Sequence, residues 1–360
     1  MLNHALVRRC VAACLLLLAG SAWAGDPCPA LAQQQSDPQV ATRIAAIACA
    51  ENLRWKQPFI DSQGRLASAS TYEAESSGLA DGTSPWRRVA YYWQSSGLLR
   101  TVAQRPGALD CDDAAGDGSR AGLSCRGFVI DTPWSAAFIS WVAERAGVPG
   151  FTSSASHFDY VRAARANPAR SPYDFVDPRS ARLATGDMIC YVRSSRLYGM
   201  SGLAAMIDRG GAAGLPMHCD FVVGTDGGHA YTIGGNVQQA VTMRVLDINA
   251  EGQVWGLPQR GTDTTVCTPD QQAACNFNRQ DWAVVLKLKS QDALAQIGPV
   301  TPPGYLPQQN GLPQAAPSCC VNCVLGSSVP RCPAPGTTSP ATTTPPTSSE
   351  PATEPVQGSD

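Results

Sequence analysis

Apolar residues recur every three or four positions in the first half of the chain, whereas they cluster into short runs in the second half. The first spacing is typical of amphipathic helices, and the runs are typical of strands in a buried sheet. Four helices are predicted over residues 37–55, from Pro85 onward, and over 133–145 and 154–166. Asp131 or Thr132 is the predicted cap of the third helix, which has Pro133 in its first turn.

The predicted strands are residues 188–192, 219–223, 230–233, 241–246 and 282–288. Ser, Gly and Thr dominate residues 56–84, and a Gly/Asp-rich segment covers 105–125, so both are predicted as loops, the first with room for a short helix. Residues 194–216 are predicted as a Gly-rich insertion that is partly helical. Because the helices precede the strands, we expect an α+β fold with helices packed on one face of a small antiparallel sheet.

The first 24 residues have the features of a secretory signal peptide. Arg8 and Arg9 precede an apolar run over residues 10–20, and Ala22-Trp23-Ala24 forms a cleavage site. The run is too short to span a bilayer. A lipoprotein box at residues 11–14 is the weaker alternative, because it precedes the leucine run. We therefore expect cleavage after Ala24 and an exported, periplasmic or secreted protein without a membrane span.

Composition divides the remaining chain into four segments. A helical extension is predicted over residues 25–126 and the main domain over 127–290. A Pro/Cys-rich linker is predicted over 291–336, followed by a Pro/Thr/Ser tail over 337–360 that is too polar to fold. A protein partner could bind through this tail.

Fourteen cysteines, two of them in the signal peptide, leave an even number for disulfide bonds in an oxidising compartment. Cys111 with Cys125 and Cys267 with Cys275 are the nearby pairs that we expect. The other cluster lies in the linker and comprises Cys319, Cys320, Cys323 and Cys332. A disulfide knot is favoured there over a zinc site, because no histidine is near.

Charge excludes one class of function. Charged residues make up 16% of the chain, the net charge is −2, and no basic patch indicates nucleic-acid binding. No cofactor or metal is predicted.

The segment "DTPWSAAFISWV" places Ser135 at the start of the third helix. There the positive end of the helix dipole would stabilise an alkoxide, and backbone N–H groups of the first turn could form an oxyanion hole. Ser135, Ile139 and Val142 share a helix face that should pack on the sheet and direct the hydroxyl towards His218. The alternative is a small buried serine at a close helix–sheet contact.

Three histidines follow the signal peptide, namely His157, His218 and His229. His218 begins a predicted strand, and Asp220 lies two residues later on the same strand face. Asn236 follows two glycines at the end of the next strand. It could orient a catalytic histidine or occupy a turn with positive φ.

These pieces together resemble the CHAP family of papain-like cell-wall amidohydrolases. Its nucleophile helix reads Trp-Cys-Ala-Ala-Phe-Val, where this chain has residues 134–139, and it is followed by Gly-Asp, His-x-x-x-Val and Ile-Glu-Gly-Asn strands. Here those strands correspond to residues 186–187, 218–222 and 233–236. The sequence segments "PWSAAFISWV" and "IGGNV" are also similar to those of an uncharacterised bacterial family, DUF2272.

The CHAP resemblance implies a papain-like core and hydrolysis of amide bonds in peptidoglycan peptides. It implies that Ser135 is the nucleophile and His218 the general base, with Asn236 or Asp220 orienting the imidazole. The predicted substrate-binding residues are Trp134, His157, Asp187 and His229. Two residues depart from the family, since Ser135 replaces its cysteine and Gly234 replaces its glutamate, which removes an acidic contact.

Three alternatives stay open at this point. A catalytically lapsed module could bind cell-wall glycopeptide or a protein partner, because serine is a weaker nucleophile than thiolate. A metal could bind His218 and Asp220 with Asp187 or His229. Cys190 or Cys219 could be the nucleophile, provided that it is a free thiol.

Overall fold

The structure, a computed structural model, describes residues 25–75, 77–112, 118–210, 214–254, 256–261 and 267–298. The predicted signal peptide, the tail and the cysteine cluster at 319–332 lie outside these residues. None of the helices within the described ranges is long and apolar enough to cross a membrane.

The described residues form an α+β fold, as predicted. The helices are α1 (Cys28–Leu31), α2 (Val40–Arg54), α3 (Pro85–Ser95), α4 (Arg120–Asp131), α5 (Ser135–Arg145), α6 (His157–Ala166), α7 (Gly199–Asp208) and α8 (Gln291–Ile297). Short 3₁₀ helices cover Leu98–Val102, Leu109–Cys111 and Gln272–Cys275. The strands are β1 (Phe59–Ile60), β2 (Leu66–Ser68), β3 (Tyr173–Val176), β4 (Met188–Val192), β5 (Met217–Asp226), β6 (His229–Val237), β7 (Ala240–Asp247) and β8 (Asp281–Leu288).

All eight strands form one sheet in the order β2-β1-β7-β6-β5-β4-β8-β3. Neighbouring strands are antiparallel except β1 and β7, which are parallel. The sheet is larger than predicted, because β1 and β2 come from the segment predicted as loop and β3 was not foreseen. The five predicted strands are confirmed as β4 to β8, and they form the middle of the sheet.

Helix α4 is the main departure in the helical half, because residues 120–125 were predicted as loop. The Ser119 side chain accepts a hydrogen bond of 2.9 Å from the Gly122 N–H, and this cap starts the helix despite its two glycines. Helix α5 therefore starts later than predicted. Its N-cap is Trp134, without a side-chain cap bond, instead of Asp131 or Thr132.

Two hydrophobic clusters cover the two faces of the sheet. The larger contains buried side chains from the helices, whereas the smaller contains only strand and loop residues. The helices therefore pack on one face, as predicted. Arg43 of α2 ties this layer together, because its Nε donates to the Ala146 carbonyl at 2.7 Å. The predicted domain boundary at 126/127 lies inside α4, and the larger cluster includes residues from both sides of it.

Four disulfide bonds join Cys28–Cys49, Cys111–Cys125, Cys190–Cys219 and Cys267–Cys275. Both expected pairs are present. Such a set is typical of an extracellular or periplasmic protein. The hypothesis that Cys190 or Cys219 is the nucleophile is wrong in this structure, because the two sulfurs are bonded to each other across β4 and β5.

Candidate functional site

Ser135 lies at the first turn of α5, where the helix packs against β5 and β6. Its hydroxyl was expected to face His218, but the contact is with His157. The Ser135 Oγ atom lies 2.7 Å from the Nε2 atom of His157, which is the first residue of α6. Each residue is only 4% exposed. This is the separation at which a serine and a base share a proton.

The other ring nitrogen of His157 contacts a second hydroxyl group. Its Nδ1 atom is hydrogen-bonded to the Tyr160 hydroxyl, one helical turn further along α6. Burial, followed by the nearby His218 and Arg193, holds the pKa of His157 well below its usual value. His157 is therefore a neutral imidazole between two hydroxyl groups, and its proton can lie on either nitrogen.

His218 is the neighbouring imidazole. Its ring centroid lies 5.1 Å from that of His157 and 5.1 Å from that of Tyr191, and the Tyr191 ring is tilted by 37° relative to it. The His218 Nε2 atom lies 2.7 Å from the Asp220 Oδ1 atom, and both side chains are 1% exposed. The prediction that Asp220 shares a strand face with His218 is confirmed by this contact.

Arg244 of β7 supports the carboxylate from the other side. Its Nε donates to the Asp220 Oδ2 atom at 3.2 Å, while Nη1 donates to the Asn278 side chain and the Phe277 carbonyl. Burial alone would raise the pKa of Asp220, but the charges and hydrogen bonds of His218 and Arg244 outweigh it, and the pKa is lowered. Asp220 is thus a buried carboxylate with a partner on each oxygen.

This carboxylate fixes the tautomer of a neutral His218. Since a carboxylate only accepts hydrogen bonds, the ring proton lies on Nε2 and the lone pair on Nδ1. The Nδ1 atom is buried and has no hydrogen-bond partner among the described residues. A buried, unpaired acceptor is costly, and such groups are concentrated at functional sites.

Gly234 and Gly235 explain why strand β6 can pass so close to the site. A Cβ atom at position 234 would lie 1.8 Å from Asp220 Oδ1 and 2.9 Å from His218 Nε2. A Cβ atom at 235 would lie 2.5 Å from the Phe138 Cβ atom. The Asp220 carboxylate from strand β5 therefore occupies the space that a side chain at position 234 would need.

Asn236 makes no hydrogen bond to His218 among the residues that the structure describes. Its φ is 54°, and the β6–β7 register shifts between Gly234 and Val237. Asn tolerates this left-handed conformation better than most residues, which agrees with the alternative prediction of a turn position. The partner of His218 is Asp220.

The remaining predicted substrate-binding residues make their hydrogen bonds and ion pairs with other residues. Trp134 is fully buried, and its Nε1 donates to the Glu73 carboxyl at 2.5 Å. Asp187 accepts hydrogen bonds from Lys287 and from the backbone of residues 184 and 288, and it joins β4 to β8. His229 lies at the opposite end of β6 from Gly234, 3.4 Å from Asp247.

Three residues that contact the predicted site residues were not predicted from the sequence. Tyr160 lies three residues after His157, and this helical spacing was a usable signal. Arg244 approaches Asp220 across an intervening strand, and no local pattern predicts that. Glu73 comes from a segment predicted as loop, and burial raises its pKa to about 7, although the Trp134 hydrogen bond lowers it.

The metal hypothesis lacks a third ligand in the part of the chain that is described, where no group of three His, Cys, Asp or Glu side chains could hold an ion. Asp187 and His229, the proposed additional ligands, have the other partners given above.

The sequence profile of a bacterial family, described as "Uncharacterized protein conserved in bacteria (DUF2272)", matches residues 80–288. The match includes Ser135, both site histidines and Asp220. No curated protein and no solved structure matches the chain.

Proposed function

We propose that this chain, which belongs to the bacterial family DUF2272, is an exported serine hydrolase that cleaves amide bonds in peptidoglycan peptides. The observation that carries the proposal is the 2.7 Å contact between Ser135 Oγ and His157 Nε2 at a helix start. The substrate class comes from the resemblance to CHAP amidohydrolases, and the four disulfides support an extracytoplasmic location.

The acylation step uses Ser135 and His157. The Ser135 oxygen attacks the amide carbonyl carbon while its proton moves to Nε2 of His157, which requires the tautomer with Nδ1–H directed at Tyr160. The C–N bond then breaks, and the amine leaves with that proton. The first-turn N–H groups of α5, which have no side-chain cap, would hold the oxyanion.

In the second step, hydrolysis of the acyl-enzyme, His218 is the general base. Water must hydrolyse the ester on Ser135, and Nδ1 of His218 is an unpaired lone pair that can take a proton from it. Asp220 orients this imidazole and stabilises its cationic form, a role that was predicted for Asn236 or Asp220. The proton returns to the Ser135 oxygen when the acid product leaves.

The experiment is mass spectrometry of soluble products after the purified protein is incubated with peptidoglycan sacculi. We expect fragments from the parent and none from Ser135→Ala. Release that is unchanged by Ser135→Ala contradicts the proposal. His157→Gln and His218→Gln separate the two steps, because only His218→Gln should accumulate an acylated protein.

A binding module without catalysis is the second candidate. It is favoured by the 4% exposure of Ser135, because a substrate reaches this hydroxyl only after neighbouring side chains move. It predicts sacculus binding without release of fragments by the parent protein. If only Ser135→Cys released fragments, the rest of the site would be intact, and its activity would have been lost when serine replaced a cysteine nucleophile.

A further inference from the structure

A cavity of about 490 Å³ is lined by residues of α6 and of the loops before and after it, and neither Ser135 nor His157 is among the lining residues. The residue that joins the cavity to the Ser135–His157 contact is Tyr160, which lines the cavity and whose hydroxyl contacts His157. The volume falls within the range of small-molecule and peptide subsites. An occupant would thus lie one side chain away from the histidine that contacts Ser135.

The lining is rich in hydrogen-bond donors. Besides Tyr160 and the apolar Phe151, it includes hydroxyl, amide and guanidinium groups of Thr152, Ser153, Ser154, Arg162, Asn167, Arg170 and Ser171. Asp159 is the single carboxylate of the lining, and both of its oxygens are occupied. Oδ2 accepts from Ser154 Oγ at 2.7 Å, and Oδ1 accepts from Arg162 at 3.1 Å.

Arg170 is the cation of the lining whose charge is not balanced by a carboxylate. Its side chain makes no hydrogen bond or ion pair with the residues that the structure describes, and it is exposed at the cavity wall. With Arg162 balanced by Asp159, the lining has an excess of one positive charge. The guanidinium group is the side chain best suited to bind a carboxylate through two parallel hydrogen bonds.

The wall beside Arg170 is held in place by close packing. Gly150 has a φ of 73°, and a Cβ atom there would lie 2.9 Å from the Arg170 carbonyl oxygen and 2.4 Å from Ile297 of α8. The loop before α6 and the loop after it therefore meet at a position that only glycine fits. The cavity is thus enclosed by fixed backbone on this side.

We propose that this cavity is a substrate subsite for a peptide carboxylate, which Arg170 binds. As a subsite of the hydrolase it rests on the proposed function, and it adds the requirement that the substrate carries a free carboxylate near the cleaved amide. An occupant of the subsite would contact the ring of Tyr160, whose hydroxyl contacts His157.

The test is isothermal titration of the full purified protein with N-acetyl-dialanine and with its C-terminal carboxamide. We expect the acid to bind about tenfold or more tightly than the amide, as for a hydrogen bond to a charged group. Arg170→Gln should remove this preference. Arg165→Gln is the matched control, since Arg165 is on α6 but pairs with Asp208 and does not line the cavity.

Equal binding of acid and amide, no binding of either, or an equal loss in Arg165→Gln would overturn the subsite. The same titration on Ser135→Ala separates the two proposals. The carboxylate preference should persist in that variant, because Ser135 does not line the cavity. A hydrolase whose activity needs Ser135 but whose Arg170→Gln variant keeps the preference would leave the proposed function intact and remove the subsite.

Discussion

Gly234 lies so close to Asp220 that the carboxylate occupies the space of a side chain at position 234. We therefore expect Gly234→Ala to displace Asp220 from His218 and to lower the turnover of sacculi about 100-fold. The matched control is Gly127→Ala in α4, where a Cβ atom meets nothing within 4 Å. That substitution should keep activity and raise stability by about 0.5–1 kcal/mol. Equal activity of the two variants would show that the Asp220 position is irrelevant.

Asp220→Asn should be the most damaging isosteric change in the site. The amide can still contact His218, but it no longer fixes the tautomer or balances the charge of a protonated ring, so we expect turnover to fall about 100-fold or more. Loss of the buried charge next to Arg244 should also cost about 3 kcal/mol of unfolding free energy. Turnover of fragments and urea unfolding measure the two effects.

Asn236→Ala is the comparison for that variant, because the sequence left Asn236 and Asp220 as alternatives. We expect it to keep most of the activity and to lose about 1 kcal/mol of stability through its left-handed backbone. A larger loss of turnover in Asn236→Ala than in Asp220→Asn would return the orienting role to Asn236.

Glu73 should make the protein less stable at alkaline pH. Burial raises its pKa from 4.5 to about 7, so the folded state keeps a proton that the unfolded state has lost between these values. The stabilisation is complete below pH 4.5 and disappears as pH rises through 7. Glu73→Gln should therefore be more stable than the parent at pH 8.5 by up to about 3 kcal/mol, with a smaller difference at pH 5. The measurement is the midpoint of urea unfolding of the parent and the variant as a function of pH. A difference between the two midpoints that stays constant with pH would refute the predicted role of Glu73.

His157 should act in the opposite sense at acidic pH. Its pKa is lowered, so the unfolded state binds a proton that the folded state refuses once pH falls below about 6.5. The contribution is complete above that value and is lost as pH decreases, at a slope of up to about 1.4 kcal/mol per pH unit. We expect His157→Gln to flatten the stability curve between pH 6.5 and 5. The measurement is thermal unfolding of the parent and the variant across this pH range. If stability changed with pH at the same rate in both, the lowered pKa of His157 would be contradicted.

The sequence by itself determined the α+β class, the five central strands, the packing face of the helices and two of the disulfide pairs. These features follow from local periodicity and short separations, which a single chain displays directly. It also paired Asp220 with His218, because residues two apart on a strand share a face. The segments 56–84 and 105–125 were assigned incorrectly in part. Strand β1 joins the sheet by pairing with β7, which is distant in sequence, as well as with β2, and α4 begins at a Ser119 cap within glycine-rich sequence.

Only the tertiary structure decided which imidazole meets Ser135. The periodicity of α5 gives the face of the serine, but the separation between two elements depends on how helices and sheet pack, and α6 places His157 between Ser135 and its expected partner. The approach of Arg244 to Asp220 likewise depends on strand order. Long-range geometry of this kind is set by the whole core, and a motif of four or five residues does not contain it.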